Sequence, residues 1–402
     1  MSQIWAYTCL ATVVLGAPFP PPNPSHFAAL YFGANETGPA DSAQFLQLAA
    51  RGQLAGYGWQ ANGAPSNFSH GEANLLAAAA ALHAAAPSLP VFVYRHFQMC
   101  WRYFDVQRAA ADDPALQGMF LRDDDNSEGS PQCRQGVPGG GTAPLFAFLN
   151  TSAGAWWVAN VVAELAAEPA TSAVFFDETT WSACGYNFGK DGCANISDAF
   201  RAADLAAKLP ALRATADALA AARKWPIFSS QNVLAAAWEG LPADAPRPCV
   251  VPHDAYAAAL EGADYGRFYE FWMGNGKNID AAYIANVVLE GARGVGFVAR
   301  ASADAGAQCP AACDLSPYHP VDLNYALAAF MVARTSPWSY FGVSGGWSSG
   351  CWCWHAQYDE AAKCGAPLAP AVRTSPYSWT REYQRCSVAV NTSDGTGALS
   401  PK

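Results

Sequence analysis

The stretch Ala173-Val174-Phe175-Phe176-Asp177-Glu178-Thr179 runs four apolar residues without interruption and then delivers two acids. A strand with one wet face alternates apolar and polar residues, whereas one covered on both faces is apolar throughout, so this is the pattern of an interior strand in a parallel sheet. Seven further runs resemble it: Ala28 to Gly33, Leu54 to Trp59, Pro90 to His96, Pro226 to Gln231, Gly266 to Phe271, Gly294 to Arg300 and Ser339 to Val343. Ala-rich stretches of helical length lie between many of them, at Asp41 to Ala50, Glu72 to Ala86, Ala155 to Ala167, Ser197 to Ala222, Ile279 to Ala292 and Asp322 to Ala333. Ser69, Ser197 and Asn278 stand at or near helix starts as N-caps, and Gly52 and Gly294 stand where helices stop. Strand, helix and strand in succession require crossover connections and parallel pairing. Eight such strands predict the α/β class and, within it, a (β/α)8 TIM barrel.

Around that core the sequence predicts additions. Met119 to Arg122 and Leu145 to Leu149 flank the Gly/Pro-rich stretch Gly129 to Thr142 and read as a hairpin inserted after the third strand. Gly345 to Cys364 reads as irregular, and Ser387 to Asn391 as one more short strand. The expected division is a leader over 1–17, the barrel over 18–344 and a Cys/Trp-rich extension packed on it over 345–402.

The chain has 402 residues, 51% hydrophobic and 14% charged, which suffices for one large core. A net charge of -10 argues against a polyanion partner, since a nucleic-acid backbone rewards clustered Lys and Arg and these are sparse here, so no nucleic-acid partner is expected. The first charged residue is Glu36, and Ile4 to Leu15 is an apolar run followed by Gly16-Ala17 and prolines. That run is too short to span a bilayer and reads as a signal peptide, although its start lacks Lys or Arg; a buried N-terminal strand is the alternative. Secretion also fits the 12 cysteines, read as disulfides, and the Asn-x-Ser/Thr acceptors at Asn35, Asn67, Asn150, Asn195 and Asn391. Removing Cys9 with the leader leaves an odd number, so at least one thiol is free or pairs with another chain. The competing reading is zinc at Cys351, Cys353 and His355, but no paired C-x2-C set is present.

Barrel active sites sit at the carboxyl ends of the strands, so polar residues that end apolar runs carry the functional expectation. Asp177 ends the fourth strand and Glu270 the sixth. Alternation allows only one of Asp177 and Glu178 to face the mouth without a local bend. Asp177 is preferred, with Glu178 in reserve. Asp177 can instead cap the next helix, and Glu270, flanked by Tyr269 and Phe271, can instead pair with Arg267, Arg300 or Arg95. Arg95 and His96 end the third strand, Asn232 follows the fifth and Arg300 ends the seventh, as candidate substrate contacts. Trp59 and Trp272 offer flat faces for a sugar ring. Two carboxylates facing across a cleft are what glycosidic cleavage needs: one protonates the leaving oxygen, and the other attacks or activates water. No cofactor or metal is expected. Asp123-Asp124-Asp125-Asn126 lacks the spacing of a calcium loop and reads as a solvated turn, Gly139 to Gly141 lacks the lysine of a phosphate loop, and no G-x-S-x-G elbow is present.

The order VFFDE, a sixth strand ending in Glu, SYFGVSGGW, QYDEAAKCGAP and WTREYQRCSVAVN resembles glycoside-hydrolase-like TIM-barrel families related to the polygalactosaminidase-type and α-galactosidase-like enzymes. In the tail the resemblance rests on Tyr358, Asp359, Gly365, Pro367, Arg381, Glu382, Tyr383, Val388, Val390 and Asn391. Gln384-Arg385-Cys386 departs from it, standing where a Gly is expected. The resemblance implies Asp177 as nucleophile and Glu270 as acid/base. The expected protein is thus a secreted glycoside hydrolase acting on an oligosaccharide or polysaccharide, with a catalytically inactive carbohydrate-binding barrel as the alternative.

Overall fold

The computed structural model describes residues 18–22, 30–33, 50–58, 71–128, 130–136, 142–179, 195–229, 233–234, 251–272, 281–302, 320–334, 336–344 and 354–402. In chain order its strands are β1 (Leu30–Gly33), β2 (Leu54–Tyr57), β3 (Val91–His96), β4 (Arg134–Gly136), β5 (Thr142–Pro144), β6 (Ala173–Asp177), β7 (Trp225–Ser229), β8 (Val233–Leu234) and β9 (Val251–Pro252). They continue with β10 (Gly266–Trp272), β11 (Gly296–Ser302), β12 (Ser339–Ser344), β13 (Val372–Ser375), β14 (Ser378–Glu382), β15 (Cys386–Asn391) and β16 (Thr396–Pro401).

Eight of these form one parallel sheet in the order β1-β2-β3-β6-β7-β10-β11-β12. The strands at its two ends, β1 and β12, also lie side by side, so the sheet curls into a barrel. Every predicted barrel strand is present within a few residues of its expected bounds. The reason is visible in burial: β3, β6 and β7 are buried at every position, because side chains alternate between the barrel interior and an outer layer of helices.

The interior is filled by aromatic rings. Phe175 of β6 stacks on Phe268 of β10 at 4.1 Å between centroids, with Phe92 of β3 edge-on to Phe175. At the amino ends of the strands Trp225 lies across Gly266 and Gly296. A Cβ on Gly296 would stand 2.2 Å from that indole, and one on Gly266 2.4 Å, so both strands need glycine there. Phe19 closes this end: its ring meets Trp225 edge-on at 5.7 Å and its carbonyl accepts a hydrogen bond from the Trp338 indole.

The helices Gly71–Ala85, Asp198–Ala221, Ala281–Ala292 and Pro320–Ala333 match the sequence reading. Ser197 caps Asp198–Ala221 by accepting from the Phe200 amide, and Gly294 follows Ala281–Ala292 with φ +86. The predicted Ala155 to Ala167 helix begins earlier, at Thr151, and carries a π-helical turn over Val158–Val162. Short helices Asp105–Asp112 and His253–Ala259 were not read from the sequence. Asp41 to Ala49, Ser69 and Asn278 lie outside the described residues.

The inserted hairpin is present with a shifted ladder. Phe120 and Phe146 meet in a single antiparallel bridge, while the paired strands, β4 and β5, lie nearer the tip. The tail departs further from expectation. Gly345 to Cys364, read as irregular, contains the helix Ala356–Lys363, and the one expected strand is the third of a four-stranded antiparallel sheet, β13-β14-β15-β16. This appendage lies against Pro320–Ala333. Tyr383 donates to the Met331 carbonyl at 2.6 Å, the Tyr358 hydroxyl accepts from the Val343 amide, and a disulfide joins Cys364 to Cys386. Two of the tail residues that carried the family resemblance, Tyr358 and Tyr383, therefore fasten the appendage to the barrel. Cys133 is also disulfide-bonded, and Cys100 is a buried free thiol. Among the described residues no helix is long and apolar enough to cross a membrane.

Candidate functional site

The carboxyl ends of β3 and β6 bring four polar side chains together. The strands are in register with His96 opposite Asp177. Tyr94, Phe175 and Asp177 share one parity, and the stacking of Phe175 on Phe268 of β10, two strands away, fixes it as the barrel-facing side. Asp177 is buried there, only 7% exposed. Its Oδ2 accepts from the Tyr94 hydroxyl at 2.9 Å and its Oδ1 from the Glu178 amide at 2.9 Å. Burial pushes its pKa up to about 6, against the pull of Tyr94, the Glu178 amide and the positive charge of Arg300. It does not cap the following helix, since Ser197 does.

The expected exclusion between Asp177 and Glu178 is lifted by the local bend it would require. Glu178 has φ +54, in the left-handed region that side chains other than glycine's rarely adopt. Its Oε2 lies 3.7 Å from His96 Nε2. His96 accepts the Met99 amide on Nδ1 at 2.9 Å, which fixes the neutral imidazole with its proton on Nε2, toward Glu178. Burial, joined by the charge of Lys208, holds the His96 pKa well below its ordinary value. Lys208 reaches in from Asp198–Ala221, is fully buried and donates to Gln98 Oε1. Just beyond Glu178, the Thr179 amide and hydroxyl bond Ser229 at the end of β7 and lock the bend to its neighbour.

Arg95 is corrected. It takes the opposite parity to Tyr94 and His96, so it points into the helix layer, where it pairs with Glu72 and lies 4.1 Å over the Phe104 ring. It cannot touch a ligand in the mouth. Arg267 is likewise outside the barrel, 3.3 Å from Glu290 and 4.1 Å over Tyr256. Two of the three arginines that could have claimed Glu270 are therefore engaged elsewhere. Glu270 itself is a backbone position of β10 paired with Arg300 of β11; its side chain and that of Trp272 lie outside the described residues. Trp59, Asn232, Cys351 and Cys353 lie outside them altogether. Arg300 is buried, and its charge acts on Asp177.

The sequence reading missed Tyr94. Its signal was available: it stands two residues before His96 on a strand, hence on the same face. Asp123 to Asn126 is also more than a solvated turn. Asp123 is buried and accepts from the Asn195 amide, and Asp125 accepts from Ser197, so the run straps down the start of the helix after β6. Among the described residues no group of His, Cys, Asp or Glu could hold a metal ion. A cavity of about 460 Å³ lined by Leu260, Asp264, Tyr265 and Arg293 opens at the amino ends of β10 and β11, away from Asp177 and Glu178. Barrel chemistry takes place at the other end.

No family model matches the sequence, and no curated relative matches it. Solved structures do match in fold. A GH31 dextranase from Flavobacterium johnsoniae complexed with glucose is 11% identical, with a TM-score of 0.50 over 87% of this chain and 39% of that one. The α-N-acetylgalactosaminidase NagBb from Bifidobacterium bifidum is 10% identical, with a TM-score of 0.40 over 94% and 57%. Aspergillus fumigatus Ega3, solved with galactosamine, is 8% identical, with a TM-score of 0.42 over 83% and 96%. The chain spans well under two thirds of the first two proteins. The likeness to the dextranase shows a shared barrel fold.

Proposed function

We propose that this chain is a secreted glycoside hydrolase that cleaves an O-glycosidic bond, with Asp177 as nucleophile or base and Glu270 as acid. The observation that carries the reading is a carboxylate buried on the barrel-facing side of a strand end, held by two donors, beside a second acid brought in by a left-handed residue. Buried polar groups gathered at the carboxyl ends of barrel strands are where such folds do chemistry.

In this reading the two hydrogen bonds fix the Asp177 carboxylate so that one oxygen faces the anomeric carbon as the leaving group departs. Strand alternation gives position 270 the parity of Phe268, which stacks on Phe175 in the interior. Glu270, one strand removed from β6, protonates the leaving oxygen. Asp177 must be ionised to attack, so with a pKa of about 6 activity falls as the pH drops through that value. Glu178, Arg300 and the aromatic residues Trp59 and Trp272 hold the sugar. The substrate is an oligosaccharide or polysaccharide, the similarity to glycoside hydrolases supporting this at the level of fold. Secretion follows from the leader, the cysteines and the glycosylation acceptors of the sequence.

The test is turnover of aryl glycosides by the purified protein and by Asp177→Asn and Glu270→Gln. Loss of about a thousandfold or more in kcat with the circular dichroism unchanged is expected. Undiminished turnover in Asp177→Asn rejects the assignment. Glycan binding by a wild-type chain that cleaves nothing favours the inactive carbohydrate-binding barrel.

A further inference from the structure

We propose that Glu178 is a specificity-determining residue, a carboxylate that accepts hydroxyl groups of the sugar seated beside Asp177 and thereby selects their configuration. This deepens the glycosidase reading and rests on it.

Three observations converge on Glu178. First, it is a non-glycine residue at φ +54, a conformation that costs a side chain free energy and that clusters where a structure must aim a particular group. An ordinary extended residue would continue the strand alternation and put this carboxylate in the helix layer, where Arg95 lies. The left-handed turn brings it back over the mouth, to His96. Second, the bend is built in from both sides: the Glu178 amide donates to Asp177, and Thr179 is bound through amide and hydroxyl to Ser229. Third, the carboxylate is oriented unequally. Oε2 is buried toward His96, whose Nδ1 is occupied by the Met99 amide and whose Nε2 faces Glu178. The side chain as a whole is 18% exposed, so solvent reaches it on the side away from His96. Oε2 faces a fixed imidazole, while the side chain, next in sequence to Asp177, keeps an exposed part.

A carboxylate so placed is an acceptor for one or two sugar hydroxyls. Because the backbone, His96 and the β7 lock fix its direction, it accepts well from hydroxyls of one orientation and poorly from their epimers. A purely structural role for Glu178, as partner of His96, makes the opposite forecast for stability, which allows a clean separation.

The experiment compares wild type, Glu178→Gly, Glu178→Gln and Asp177→Asn on p-nitrophenyl glycosides of glucose, galactose and mannose, in both anomers, with the melting temperature measured in parallel. Glycine suits φ +54, so Glu178→Gly is expected to melt at or above the wild-type temperature. Both Glu178 variants are expected to raise KM for the preferred glycoside about tenfold to a hundredfold and to flatten the preference among epimers. A lowered melting temperature in Glu178→Gly with KM and epimer preference retained overturns the proposal and makes Glu178 a structural residue. If Asp177→Asn abolishes turnover while the Glu178 variants keep wild-type selectivity, this inference alone falls. If wild type hydrolyses none of the panel, the glycosidase reading and this inference fall together.

Discussion

Replacing Asp177 by Asn tests the site without any substrate, through the pH dependence of stability. In the folded chain the Asp177 carboxyl is raised from 3.8 to about 6, chiefly by burial. The native state therefore binds a proton more tightly than the unfolded chain does. The stability linked to this group is fully present below pH 3.8 and is lost as the pH rises through about 6. A shift of this size amounts to about 3 kcal/mol, most of which is lost between pH 4 and pH 7. The asparagine side chain cannot titrate, so the stability of the variant relative to wild type should climb by that amount over the same interval. The variant also leaves the Tyr94 hydroxyl or the Glu178 amide without a good acceptor, at a cost of about 1–3 kcal/mol, but that cost is the same at every pH and cancels in the slope. Urea unfolding at half-unit steps from pH 4 to pH 7 measures the difference. Parallel curves for the two proteins would refute the claim that Asp177 is a buried acid whose ionised form is disfavoured.

Tyr94→Phe removes a donor to the ionised carboxylate, so the Asp177 pKa should rise further and the acid limb of the kcat/KM profile should move to higher pH by about 1 unit; an unmoved limb would show that Tyr94 does not hold the acting group. Arg95→Met leaves Glu72 buried without its cation and should cost about 3–5 kcal/mol in urea unfolding, with kcat per folded molecule unchanged; a kinetic defect in a stable variant would return Arg95 to the site. Opening the Cys364–Cys386 link, which spans 22 residues of sequence, should cost about 3 kcal/mol, read as a lower denaturation midpoint for the doubly Ser-substituted chain.

The barrel was readable from the sequence because parallel strands buried on both faces leave unbroken apolar runs, such as Val174-Phe175-Phe176, and because Ser197 and Gly294 punctuate the helices. The tail sheet was less so. Its outer strand, β13, is exposed at every position, and Val372-Arg373-Thr374-Ser375 has neither alternation nor an apolar run to mark it. At the site, Asp177 could be chosen from its place at a strand end, but the turn at Glu178 left no trace, since Glu is not a residue that announces a positive φ. Arg95 was misplaced for a related reason. VYRHF is apolar or polar on both parities, and only contact with Glu72 on one side and Trp101 against His96 on the other decides which residues face inward.

Phe19 docks on Trp225 and Trp338 at the end of the barrel opposite Asp177. A carrier fused directly to Pro18 would be tethered at the floor of the barrel. A chain immobilised by that end on a sensor chip or a bead would hold the strand ends that carry Asp177 away from the surface.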